Sequence, residues 1–118
     1  MQLGLADPGQ AAAAWRLVAQ YQSEVGQAEA ALESYDQALA ALNRVALSTT
    51  RGHSLLAATY RDRGLVYRRL QKYELAYTDI SQAQMVAQQA GLTDLAAACK
   101  EDLAILAHHA GHQMYESS

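Results

Sequence analysis

The chain reads as all-α, a solenoid of antiparallel helix pairs, on three observations. Proline occurs once in 118 residues, at Pro8, so nothing after it deprives a helix of a backbone N–H. Hydrophobic residues make up 51%, and much of that is Ala, the best helix former. β-branched residues are scattered, so strand-like runs are missing. Phe is absent while Tyr occurs seven times, which suits closely packed Ala-rich helices with Tyr and Leu as the larger pieces.

Asp7-Pro8 opens the first helix: Asp caps free N–H groups and Pro fits the first turn. That helix runs to about Glu24 and is broken by Gly26. The second starts near Gln27, with Ala28, Ala31, Leu32, Tyr35, Ala38, Leu39 and Leu42 on one apolar stripe. The polar stretch from Ser48 to Gly52 marks the next break. A third helix covers about Ser54 to Leu70, and Gln71-Lys72 is a short turn. The fourth runs to about Ala90, with Tyr73, Ala76, Tyr77, Ile80, Ala83 and Ala87 on one side. Gly91 is placed to end it in a left-handed conformation. Thr93 caps a fifth helix to about His109, and the tail from Gly111 is expected to fray. Connections this short make neighbouring helices antiparallel.

Five such helices fit a bundle or a solenoid, and an internal repeat decides between them. Trp15 and Tyr60 are 45 apart (60 − 15). At the same offset Arg16 meets Arg61, Val25 meets Leu70, Ala31 meets Ala76, Tyr35 meets Ile80 and Ala38 meets Ala83. A third, partial copy follows at an offset of 39 (91 − 52), which matches Gly52 with Gly91, Arg61 with Lys100 and Asp62 with Glu101.

The pattern resembles the tetratricopeptide repeat: an aromatic, a small residue four later, a Tyr three after that, then an alanine, aromatic, alanine trio in the second helix. One copy carries Trp15, Ala19, Val25, Gly26, Ala31, Tyr35 and Ala38. The other carries Tyr60, Gly64, Tyr67, Leu70, Tyr73, Ala76, Ile80 and Ala83. Gln22 stands where the first copy would have Tyr, Arg63 where the second would have a buried Leu, and neither copy ends in proline. The spacing is closest to the longer-repeat relatives. The resemblance implies a single domain over residues 1–118, with repeats at about 10–47 and 52–90 and a partial or capping repeat at about 92–110.

It also implies a role. In that family the first helices of successive repeats line a concave groove that holds a peptide or partner helix, so the chain is expected to be a protein-binding adaptor or assembly factor. The groove residues implied here are Arg16, Gln20, Arg61, Leu65, Arg68 and Lys100. A basic groove of this kind takes an acidic segment or a C-terminal carboxylate, because the Arg fork meets a carboxylate with two hydrogen bonds. Five of the nine basic residues lie between Arg61 and Lys72. The competing reading is a solvated helix face on which Asp62 and Glu101 neutralise those charges. The alternative function is self-association: Leu95, Leu103 and Leu106 make the fifth helix apolar on more than one side, which asks for cover from a second copy in a homodimer.

Other functions are disfavoured. The net charge of −3 is wrong for a broadly basic nucleic-acid binder. No 18-residue apolar run or signal peptide is visible, so no membrane span and a cytoplasmic address are expected. Cys99 is the only cysteine, expected buried and structural, which excludes an internal disulfide. His108 and His112 share a helix face at metal-binding spacing, but no third ligand is at hand and exposed histidines are the expected reading. No phosphate loop, nucleophile elbow or catalytic carboxylate pair appears, so no enzyme, cofactor or metal is expected. Trp15, Tyr35, Tyr60 and Tyr67 are expected in the core.

Overall fold

In the computed structural model the described residues are 7–44 and 49–117, with side chains described to 109. Five helices follow in order: α1 (Pro8–Glu24), α2 (Ala28–Leu42), α3 (Thr50–Arg69), α4 (Tyr73–Gln89) and α5 (Thr93–Ser117). α1 starts as its sequence dictates. The Asp7 carboxylate accepts the Gly9 N–H at 2.9 Å, and Pro8 occupies the first turn. α3 starts earlier than the break at Gly52 suggested. Thr49 caps it, its hydroxyl accepting the Gly52 N–H at 3.1 Å, so Gly52 lies inside the helix. Thr93 is the first residue of α5 rather than its cap, and the helix continues to Ser117, past the expected end near His109.

Three helices end in the same way. At the end of α1 the Gln27 N–H donates to the Gln22 carbonyl (2.8 Å) and the Gly26 N–H to the Ser23 carbonyl (3.2 Å). α3 repeats this with Lys72 to Tyr67 and Gln71 to Arg68, and α4 with Leu92 to Ala87 and Gly91 to Gln88. The motif needs a left-handed residue after the cap. Gly26 and Gly91 supply it at φ 84° and 73° without cost, whereas Gln71 is held there at φ 61°.

α1 packs on α2 and α3 on α4, and α5 then packs on α4; α3 also touches α1, α2 and α5. This is a stack of antiparallel helix pairs, solenoid-like, without strands among the described residues. Burial follows the offset of 45. Ala12 and Ala57 are buried, as are Ala31 and Ala76, Tyr35 and Ile80, Ala38 and Ala83, and Leu42 and Ala87. Small residues lie where helices press together. A Cβ built on Gly64 would lie 2.6 Å from Ile80 Cγ1 on α4, closer than van der Waals contact permits. Of the aromatics expected in the core, Tyr35 is fully buried, while Trp15, Tyr60 and Tyr67 are only half-buried.

Candidate functional site

The third copy of the repeat aligns differently from its sequence reading. Arg16 Nε donates to Asp62 Oδ2 at 2.8 Å, and Arg61 Nε donates to Asp102 Oδ2 at 2.7 Å. The two contacts are equivalent: one arginine of a first helix reaches one aspartate of the next. Asp62 therefore corresponds to Asp102, an offset of 40 (102 − 62) rather than 39. Buried Thr59 with buried Cys99, and buried Val66 with buried Leu106, keep the same offset.

This register revises the expected basic groove. Lys100 corresponds to Tyr60, not Arg61, and is exposed without an ion-pair partner among the described residues. Glu101 takes the place of Arg16 and Arg61 on α5. Both arginines are already spent on carboxylates within the chain, so α1, α3 and α5 present a surface of mixed charge. Gln20 Nε2 also donates to Asp62 Oδ2, at 3.4 Å. Leu65 is half-buried against the cluster of Ala76, Ile80, Cys99 and Leu106. Arg68 is half-exposed in the last turn of α3, with no carboxylate partner among the described residues. Its neighbour Arg69 ties α3 to α1, donating to the Ser23 hydroxyl at 2.7 Å.

Between α1 and α3 the surface opens into a cleft of about 270 Å³, lined among others by Gln20, Ser23, Tyr35, Asp62, Leu65 and Arg69. Burial dominates its electrostatics. The Asp62 carboxyl is pushed above its ordinary value by burial, which outweighs the opposing pull of Arg16. Burial, then the nearby Asp62 charge, raises the Tyr35 phenol to about 12. The Asp102 carboxylate, accepting the Arg61 hydrogen bond, raises that guanidinium above its usual value against an opposing desolvation.

Arg63, which stands where the repeat pattern would have a buried leucine, makes three hydrogen bonds to carboxylates, more than any other side chain among the described residues. Its Nε and Nη2 donate to the two oxygens of Asp79 at 2.7 and 2.8 Å, and its Nη1 donates to Asp36 at 2.8 Å. It thus joins α2, α3 and α4, with its guanidinium carbon 5.8 Å from the Tyr60 ring centre and 5.9 Å from that of Tyr67. Asp79 was a legible signal: it interrupts the apolar stripe between Ala76 and Ile80.

The fifth-helix leucines do not form a free surface. Leu106 is buried, and Leu95 and Leu103 pack against the core clusters, so all three serve the contact of α5 with α3 and α4. This corrects their assignment to self-association. Of the large apolar side chains that are uncovered, four lie together on α1, where Leu17 is 66% exposed, Val18 44%, Tyr21 65% and Val25 50%; the others are Leu75, Tyr77 and Met85 on α4 and Ile105 on α5.

Cys99 is fully buried, and burial raises its thiol above the ordinary value. His108 and His109 are exposed, with the His109 ring stacked on Tyr73 at 5.6 Å; the side chain of His112 lies outside the described residues. Among the described residues no three His, Cys, Asp or Glu are grouped to hold a metal ion, and no helix is long and apolar enough to cross a membrane. Compared with known protein families, curated proteins and solved structures, the chain matches none.

Proposed function

We propose that the chain is a protein-interaction module, an adaptor that holds a segment of another protein over the surface shared by α1 and α3. One observation carries the reading: the cleft between these two helices is open, and the side chains around it combine an apolar floor with hydrogen-bonding walls. Leu65 offers the floor over buried Tyr35; Gln20, Ser23, Glu24, Asp62 and Arg69 offer donors and acceptors. Arg68, one helical turn beyond Leu65, is a cation with no carboxylate partner among the described residues. The occupant this favours is a peptide with one apolar side chain and an acidic group or chain terminus about one turn away. The tetratricopeptide resemblance points the same way, since that family binds peptides along its first helices. Arg16 and Arg61 act in this reading as struts that set the spacing of α1, α3 and α5.

Selection from a displayed peptide library tests the proposal, with the wild type beside a Leu65→Glu, Arg68→Glu variant of matching helical content. Enrichment of apolar-acidic peptides by the wild type, weakened at least about tenfold by the variant and by added salt, is the expected result. Peptides retained equally by both proteins would place binding elsewhere and refute the reading.

A further inference from the structure

The two ends of the helix stack differ. Within the chain, one face of each later first-helix docks on the pair before it. On α3 that face is Asp62, paired with Arg16; Arg63, paired with Asp36; Val66, packed with Ala19, Ala31 and Tyr35; and Leu70, on the same cluster. On α5 the corresponding residues are Asp102, Leu103 and Leu106, and they dock on α3 and α4. Counting back 45 from α3, the same positions on α1 are Leu17, Val18, Tyr21 and Val25. All four are exposed, at 66%, 44%, 65% and 50% accessible. α1 therefore carries a junction face with nothing among the described residues covering it, and with its charges replaced: Leu where α3 and α5 have Asp, Val where α3 has Arg. The outer side of α5, in contrast, offers exposed Ala97, Lys100, Glu101, Ala104 and Ala107, small or charged, with Ile105 the one large apolar side chain exposed on it among the described residues.

We propose that this face of α1 pairs with the same face of a second copy, the two helices antiparallel about a two-fold axis between Leu17 and Val18. The side chains fit that register. Each residue faces the one whose number completes 35 (17 + 18). Leu17 then faces the partner's Val18, and Ala14 faces the partner's Tyr21, small against large, with every contact made twice. The stripe of Ala14, Val18, Tyr21 and Val25 recurs at four, three and four residues, the spacing of a helix-pairing seam. No charged residue interrupts the exposed side of α1 between Gln10 and Glu24. A parallel pair would set Tyr21 on Tyr21 and Glu24 on Glu24, whereas the antiparallel pair keeps the two glutamates at opposite ends. An in-line stack, α1 docking on α5 of a second copy, fits less well, because Glu101, which takes the arginine's place there, would meet Leu17 and be buried unpaired. The four side chains expose roughly 400 Å² of mainly apolar surface per copy, the size of the largest patch on a typical monomer, which is often an interaction site. With its rim, such a pairing buries about 1,000 to 1,200 Å² in total, the lower end of specific interfaces, so dissociation in the micromolar range is expected. The groove residues play no part in it.

Sedimentation equilibrium from about 1 µM to 1 mM tests the proposal. The average mass should rise from 12.8 kDa towards twice that value. A Leu17→Glu, Tyr21→Glu variant should remain monomeric with an unchanged helical spectrum, since both residues are exposed. Register is read by mixing an Ala14→Cys protein with a Tyr21→Cys protein, both carrying Cys99→Ser. The mixture should cross-link on oxidation, and Tyr21→Cys alone should not. A monomer at every concentration would overturn the proposal and leave the face to a helix of a different protein. A dimer that survives the double Glu variant, or ready cross-linking of Tyr21→Cys alone, would overturn it too.

Discussion

Arg63→Ala should be among the most damaging single substitutions on α3, and the reason lies in what it strands. The side chain makes two hydrogen bonds to Asp79 and one to Asp36. The two acids differ sharply: the Asp79 side chain is 6% exposed, that of Asp36 59%. Losing the contact to Asp36 returns a carboxylate to water and costs under about 1 kcal/mol. Losing the contacts to Asp79 leaves a buried charge without compensation, a situation worth about 3–5 kcal/mol. A loss of about 3 kcal/mol is expected, since the Arg63 side chain is itself 20% exposed and water reaches part of the pair. For a chain of 118 residues that lowers Tm by about 10–15 °C. Urea unfolding followed by circular dichroism measures it, arranged as a double-mutant cycle. Asp79→Ala in the Arg63→Ala background removes the stranded charge and should recover at least about 1 kcal/mol, while Asp36→Ala alone should cost little. If Arg63→Ala and Asp79→Ala are additive, or if Arg63→Ala costs less than about 1 kcal/mol, the buried-charge argument is wrong.

Gly64→Ala should destabilise by about 1–2 kcal/mol despite a helix-propensity gain of about 1 kcal/mol, because the added Cβ meets fully buried Ile80 at 2.6 Å; urea titration gives the sign. Gln71→Gly should stabilise by about 0.5–1 kcal/mol by relieving a left-handed backbone at φ 61°, seen as a higher Tm. Asp62 has its carboxyl raised above 3.8 by burial, so the folded chain holds that proton more tightly than the unfolded one. Its contribution is complete below about pH 4 and lost as pH rises through the folded value, so the stability of the wild type relative to Asp62→Asn should fall as pH rises from 4; a flat difference would contradict this. Cys99, buried and with its thiol raised, should react with an aromatic disulfide reagent only as fast as the fold opens, and at once in denaturant.

The five helices were legible because the punctuation is chemical: Asp7-Pro8 starts α1, and Gly26 and Gly91 end α1 and α4 by taking a conformation other residues resist. The first repeat offset was legible for a related reason. Alanines that must be small, such as Ala31 and Ala76, mark where helices touch, and they are far apart enough to fix a register. The second offset failed on a single glycine. Gly52 was matched with Gly91, but Thr49 draws Gly52 into α3, while Gly91 lies beyond the end of α4. A slip of one residue turns a helix by about 100°, enough to move Lys100 onto the wrong face. The destination of each arginine was equally hidden. Arg16 and Asp62 are 46 positions apart (62 − 16), and nothing local in either segment shows that they meet.

The uncovered face of α1 was hidden for a deeper reason. Hydrophobicity identifies residues that gain from burial, but close approach of helices selects for small ones. On α1 the buried residues are Ala11, Ala12 and Ala19, while Leu17, Val18, Tyr21 and Val25 face outward. A reading by hydrophobic size alone would turn this helix inside out. The repeat resolves the conflict, since Ala12 and Ala19 correspond to Ala57 and Gly64, both buried in the second pair. Once the small residues are committed to the inside, the large ones on the opposite face are in excess of what one copy of the chain needs. Four such side chains in one stripe, at positions that elsewhere in the chain form junctions, have a cost in water that only a second surface removes.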